Sequence, residues 1–381
     1  MKFILVLIFA FLAPLLLMGV TIFAVDPLMV FHKPWYDGPV YYHDERYMMP
    51  GLIKSVAPDT IVVGPSTVQP FQADILKSSG IRNGLNVSFS ASTLHEQLLT
   101  VNLGLKAGKL KRVVWGLEWV TIAWPSDKVT DRYGPFPHFL YDEPLRRLKD
   151  YLFDPDFLML SEKAIGFRFL GWEDYMWSYD PEATKQASTS REYGISNTIQ
   201  DYFSVIESEE VQLAWNNPDR FSSSVLKANY ETNVIAPIRA NPSIKFDIFI
   251  PPNSILQMAL LERHYPAVWK NFEWMLKALK ELEKFPNVKV YNFYDAPYYY
   301  MSLTRYRDIQ HFDRNTALEI LNDVQAGRYR IKTADHTIKH LLNEIARLRM
   351  VCPDEVLREI SQQLTTNSSQ REKCIDMLVG L

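Results

Sequence analysis

Five short apolar runs, lying within 60–68, 84–92, 111–119, 244–252 and 288–293, punctuate this chain, with longer segments of helical spacing between them. Runs of this length suit strands buried on both faces, and strands that alternate with helices are joined by crossovers and pair in parallel. The expected fold is α/β: a three-layer α/β/α sandwich of about five mostly parallel strands. Helices are expected over 71–76, from Thr93 onward, over 222–239, over 258–284 and through 317–321. Ser92 or Thr93 with Glu96 or Gln97 forms an N-terminal capping signature for the second of these.

The first run, Thr60-Ile61-Val62-Val63, ends in Gly64-Pro65-Ser66. A strand that stops there delivers a serine to a tight turn at the carboxyl edge of the sheet. Two roles suit it. Serine is a preferred helix cap, and a serine beside the backbone N–H groups of a helix start is also a candidate nucleophile, because those donors can stabilise an oxyanion.

Around this core the chain divides by composition. From Ile4 to Val25 no charged residue occurs, and only Pro14 and Gly19 interrupt the apolar run. That is long enough for a helix to cross a bilayer. It exceeds the h-region of a cleaved signal peptide, and Ile22-Phe23-Ala24 is a poor cleavage match, so 1–26 is read as a signal anchor. No second stretch of the kind follows, which places the rest on one side, the periplasmic or outer face of a bacterial inner membrane. Residues 27–58 read as a linker and docking segment with a short helix at 45–55, and 59–330 as the α/β domain. An aromatic insertion occupies about 123–193, with Trp124, Tyr133, Phe136, Phe139, Tyr141, Trp172, Tyr175, Trp177 and Tyr179. It fits either a stacking platform for sugars or simple core filling. Two or three polar helices complete the chain over 331–381.

Composition removes several function classes. A formal net charge of −3 offers no basic patch for a nucleic-acid partner. Neither a Walker motif nor Gly-x-Gly-x-x-Gly occurs, so no nucleotide cofactor is expected. The two cysteines, Cys352 and Cys374, have no metal-ligand company; they fit a disulfide in an oxidising compartment or two buried free thiols. His336 and His340 sit at i,i+4 but lack a third ligand and read as a solvated helix face. No metal is expected.

Far downstream, Arg305-Tyr306-Arg307-Asp308-Ile309-Gln310-His311 precedes a helix that Asp313 is placed to cap. An alcohol becomes a nucleophile when a base takes its proton, and the base works best when a third group fixes its tautomer. Ser66, His311 and Asp308 can fill those roles if the loop after the fifth strand returns to the edge where the first strand ends.

These residues resemble the SGNH (GDSL-like) hydrolase superfamily, especially its membrane-anchored branch related to polysaccharide and teichoic-acid O-acylation proteins. Gly64-Pro65-Ser66 is similar to the nucleophile block, Asn86-Val87-Ser88-Phe89-Ser90-Ala91-Ser92 to the second block, and Asp308-Ile309-Gln310-His311 to the Asp-x-x-His block. The resemblance implies a flavodoxin-like three-layer sandwich, with Ser66 as nucleophile, His311 as base and Asp308 as its orienter. It further implies an oxyanion hole built from Ser66, Ser90 and Ala91, with Ser88 and Glu118 as candidate lining residues; His95, beside the second block, reads either as a further lining residue or as a helix-surface histidine. The sequence departs from the family pattern twice: Ser90-Ala91 stands where glycine is usual, and Glu118 stands where an asparagine is. The activity implied is a serine esterase or O-acyltransferase working on O-acyl, chiefly O-acetyl, groups of an envelope or secreted polysaccharide, with a multipass membrane acyltransferase as donor partner in the transferase case. A catalytically silent scaffold or polymer-binding protein of the same fold is the alternative.

Overall fold

The computed structural model describes residues 2–35, 44–130, 132, 134–141, 144–170, 193–363 and 369–380. The chain forms two compact units. One comprises Met1–Pro58, Asn102–Lys109 and Thr130–Ser188, and the other Asp59–Val101, Leu110–Val129 and Thr189–Leu381.

The second unit holds the sheet. Its strands are β1 (Thr60–Val63), β2 (Gly84–Asn86), β3 (Arg112–Gly116), β4 (Lys245–Ile250) and β5 (Val288–Asn292). All pair in parallel in the order β2-β1-β3-β4-β5. The register sets Val62 opposite Val114, and Gly116 opposite Phe249, which lies opposite Tyr291. Val62, Val114, Phe249 and Tyr291 form one apolar face with Phe71, Ile75 and Leu76 and with Ala317, Ile320 and Leu321 of the helix Arg314–Ala326. Trp115 points the other way by strand alternation, where its indole N–H donates to Gln97. Asn271, on the helix Pro266–Glu281, donates to the Trp119 carbonyl just beyond β3. Helices therefore cover both faces, as the apolar strands require.

The five strands fall inside the expected runs. The second stops early at Asn86, because the residues beyond it are recruited to hold the turn described below. The helix expected over 258–284 is two helices, Ile255–His264 and Pro266–Glu281. Pro266 has no N–H to continue the first and drives the preceding Tyr265 out of helical geometry. The segment 222–239 is helical but widens into a π-turn over Glu231–Ile235, ahead of Pro237. The Thr93–Glu96 pair closes a reciprocal capping box. The Thr93 N–H donates to Glu96 at 2.8 Å and the Glu96 N–H to Thr93 at 3.2 Å.

Three helices, Ala334–Val351, Asp354–Ser361 and Ser369–Val379, end the chain, and the first packs against Ile255–His264 and Pro266–Glu281. Cys352 and Cys374, 22 residues apart, form a disulfide between them. Closing a loop of that length is worth about 3 kcal/mol on chain-entropy grounds. The double change to serine should therefore lower the urea midpoint of the wild-type chain, and a reductant should do the same to the wild type alone.

In the first unit, α1 (Lys2–Val25) is followed by a turn tied down by Asp26. That buried carboxylate accepts from the N–H groups of Val30, Phe31 and His32 and from the Tyr151 hydroxyl. α2 (Glu45–Val56) lies against this turn so closely that a Cβ at Gly51 would stand 1.8 Å from the Leu28 carbonyl oxygen. Among the described residues no helix is long and apolar enough to cross a membrane. The described side chains of α1 include those of residues 10–25. Phe11, Leu16, Leu17 and Val20 along that stretch are more than 60 % exposed. Of the insertion's rings, Phe136 and Tyr141 are buried against one another within this unit; there they fill a core and offer no sugar platform. Tyr133, Trp172, Tyr175, Trp177 and Tyr179 lie outside the described residues.

Candidate active site

In a doubly wound sheet the crevice forms beyond the carboxyl ends of the strands, where the strand order reverses. Here that point is β1, flanked by β2 on one side and β3 on the other. Ser66 opens a single 3₁₀ turn, Ser66–Val68, directly after β1. The approach is tight: a Cβ on Gly64 would come within 2.5 Å of Val68 Cγ2 and 2.8 Å of the Gly116 carbonyl oxygen, and one on Gly116 within 2.4 Å of Val68 Cγ2. Glycine at both strand ends lets the turn fold back over the sheet. The cap position of this turn is Pro65, with Ser66 the first residue inside it, so the cap role does not hold.

The Ser66 hydroxyl instead meets His311, with Oγ 2.8 Å from Nε2. On the other side of the ring, His311 Nδ1 lies 2.8 Å from Asp308 Oδ2 and 2.9 Å from Oδ1. Asp308 also accepts from the backbone N–H groups of Gln310 and His311, and Arg307 stands 3.5 Å from its Oδ2. Burial pushes this carboxyl up, but the bond and charge of His311 and the two backbone N–H donors outweigh that and hold it at about 2. An ionised Asp308 requires Nδ1 to carry the imidazole proton, which leaves the Nε2 lone pair facing the serine hydroxyl. The set can therefore move a proton from Ser66 to His311 while Asp308 steadies the imidazolium.

The loop that carries Asp308 and His311 is locked from several directions. Tyr306 bridges Phe312, and the Arg307 N–H donates to the His311 carbonyl. The Ile309 N–H donates to Asp201, and the Tyr306 hydroxyl to the Pro252 carbonyl beyond β4. Asp313 caps the following helix through the Thr316 N–H. The 245 positions separating Ser66 from His311 thus close to one hydrogen bond.

The second block surrounds the turn. Asn86, at the end of β2, donates to the carbonyls of Val68 and Gln69 and accepts from both the N–H and the hydroxyl of Ser88. Ser88 is fully buried, so it supports the turn and does not line open space. The Ser92 hydroxyl donates to the Gly64 carbonyl and accepts from Gln97, which in turn accepts from Trp115. Ser90 accepts from the Gln69 side chain. Ser90 and Ala91 are the central residues of a turn from Phe89 to Ser92, with Ala91 exposed at φ 50°, the left-handed region that glycine favours. His95 is half-buried at the start of the helix Leu94–Lys106. Glu118, two residues beyond β3, is 6 % exposed and adjoins Thr67 and Asn253.

Sequence reasoning did not single out Asn86, Gln69 or Asn253. The signal for Asn86 was its polarity at the end of a buried run; that for Asn253 was its place just after Pro251-Pro252, where β4 reaches the same edge. Among the described residues no cluster of three or more metal-ligating side chains occurs. His340 bonds the Tyr300 hydroxyl and His336 meets Lys332. Neither a scan against protein-family models nor a search of the curated proteins finds a match to this chain.

Proposed function

We propose that the chain is a serine ester hydrolase or O-acyltransferase of the SGNH type, acting on O-acyl, chiefly O-acetyl, groups of an envelope or secreted polysaccharide. The observation that carries this reading is the unbroken line of hydrogen bonds Ser66–His311–Asp308 at the strand-order reversal. Asp308 also closes its own loop on the Gln310 and His311 N–H groups, while Asp313 caps the following helix and Tyr306 ties the loop to Pro252. A serine hydroxyl docked on the His311 ring is an arrangement those uses do not need.

On this reading Ser66 Oγ attacks the ester carbonyl carbon while His311 Nε2 takes its proton. The C–O bond to the sugar then breaks, and the sugar oxygen leaves with the proton from His311. Water, or an acceptor hydroxyl in the transferase case, gives its proton to His311 as it attacks the acyl-serine, and the bond to Ser66 then breaks as His311 returns that proton to Oγ. Oxyanion donors come from the backbone at Ser66 and at the Ser90–Ala91 turn. Ala91 stands at φ 50°, the left-handed region that glycine favours, within the block where the resembled family commonly has a glycine.

The same proposal anchors the chain through α1 and sets the catalytic unit on the outer side of a bacterial inner membrane. The disulfide, at home in an oxidising compartment, and the exposed apolar face of α1 support it. The test is acetate release from O-acetylated polysaccharide by the full-length chain in detergent, beside His311→Ala. Release that the variant loses supports esterase action, and release only with an added sugar acceptor supports transfer. If neither occurs and Ser66→Ala keeps the cellular role, the chain is a scaffold.

A further inference from the structure

Glu118 is the carboxylic acid in the molecule with the least evident reason to be buried. It follows β3 across the crevice from Ser66, and groups from every neighbouring strand end face it. These are the Thr67 hydroxyl after β1, the Asn253 side chain after β4, the Tyr294 phenol after β5, and His311 and Asp308 from the triad loop. Among the described residues no lysine or arginine pairs with it, and the nearby Arg307 goes to Asp308. Although Thr67 and Asn253 adjoin the carboxyl, Glu118 Oε1 and Thr67 Oγ1 are both buried without a completed hydrogen bond. A buried carboxyl oxygen that no donor reaches and no cation pairs with is costly as an anion, and a proton on the carboxyl removes the cost of burying an unpaired charge.

We propose that Glu118 is held as a neutral acid and serves as a positioning residue, fixing the Ser66 turn through Thr67 and leaving His311 free to act as base. The inference rests on the ester-cleaving reading above. A second carboxylate beside the imidazole would over-stabilise the imidazolium, so that Nε2 no longer accepts the serine proton. It would also repel the oxyanion formed at Ser66. Burial is the main force raising the Glu118 carboxyl above its ordinary range, and Asp308 adds to it against the pull of Thr67, His311 and Asn253.

The sign follows. Glu118 is neutral below its raised value and ionised above it, so turnover carries an alkaline limb set by Glu118. The experiment measures kcat/KM against pH for the full-length chain, with the infrared carbonyl band of a protonated carboxyl in protein carrying ¹³C-labelled glutamate. The expected result is a protonated band near neutral pH that Glu118→Gln removes, together with loss of the alkaline limb in that variant. Gln, a neutral isostere, should cost less than about tenfold in turnover, the worth of roughly one hydrogen bond; Glu118→Ala, which leaves a cavity beside Thr67 and Asn253, should cost more. Turnover with no such band, or an alkaline limb that survives in Glu118→Gln, overturns this inference alone. A band without ester turnover at any pH overturns the ester-cleaving reading, and the positioning role with it.

Discussion

Ser66→Ala is expected to lower ester turnover on the order of 10⁶-fold while leaving the fold in place. The lost oxygen is the atom that carries the acyl group, and among the described residues no other hydroxyl meets His311 Nε2 to replace it. The structural cost is small because Ser66 neither caps its turn nor fills the core. That turn is held by Asn86, by Ser92 and by the clearance at Gly64 and Gly116. His311→Ala should match the loss, and the double variant should be no worse than either, since the two residues act as one unit. Turnover on a chromogenic acetate ester, beside thermal melting of each variant, separates lost chemistry from lost folding. Residual turnover of a tenth or more in Ser66→Ala would place the reaction elsewhere.

Asp308→Asn is expected to cost about 10⁴-fold in kcat. An amide can present its N–H to Nδ1, which would put the imidazole proton on Nε2, the atom that has to accept from Ser66. A stability change should accompany the loss, with a defined pH dependence. The carboxyl is held at about 2 against an ordinary 3.8; the difference, 3.8 − 2, corresponds to roughly 2 kcal/mol. A depressed carboxylate contributes stability that is present above its unfolded value and lost as pH falls toward its folded value. Urea unfolding should therefore separate wild type from Asp308→Asn most clearly at pH 5 and above, and the gap should shrink between pH 4 and pH 2. A gap that persists unchanged to pH 2 would mean that the lost stability does not come from the ionised carboxylate.

The sheet was legible because each parallel strand is buried on both faces, so Ile61-Val62-Val63 and Val113-Val114-Trp115 read as unbroken apolar runs. Asp308 and His311 were legible because their spacing brings a carboxylate under a ring within one loop, and the all-parallel topology returns that loop to the edge where β1 ends. The supports of the turn were harder to read. Asn86 acts by reaching across to the carbonyls of Val68 and Gln69, a contact between segments that no local period encodes. The helix break at Pro266 carried a local signal, which the sustained apolar spacing over 258–284 obscured. Glu118 was visible as a departure from the resembled pattern, but only its burial beside Thr67, Asn253 and the triad loop gives that departure a chemical meaning.

The most direct measurement is covalent labelling of the full-length chain with a fluorophosphonate, followed by peptide mass spectrometry. The account predicts one equivalent of label on the peptide containing Ser66, abolished in both Ser66→Ala and His311→Ala. A folded chain that stays unlabelled, or that carries the label on another residue, would contradict it.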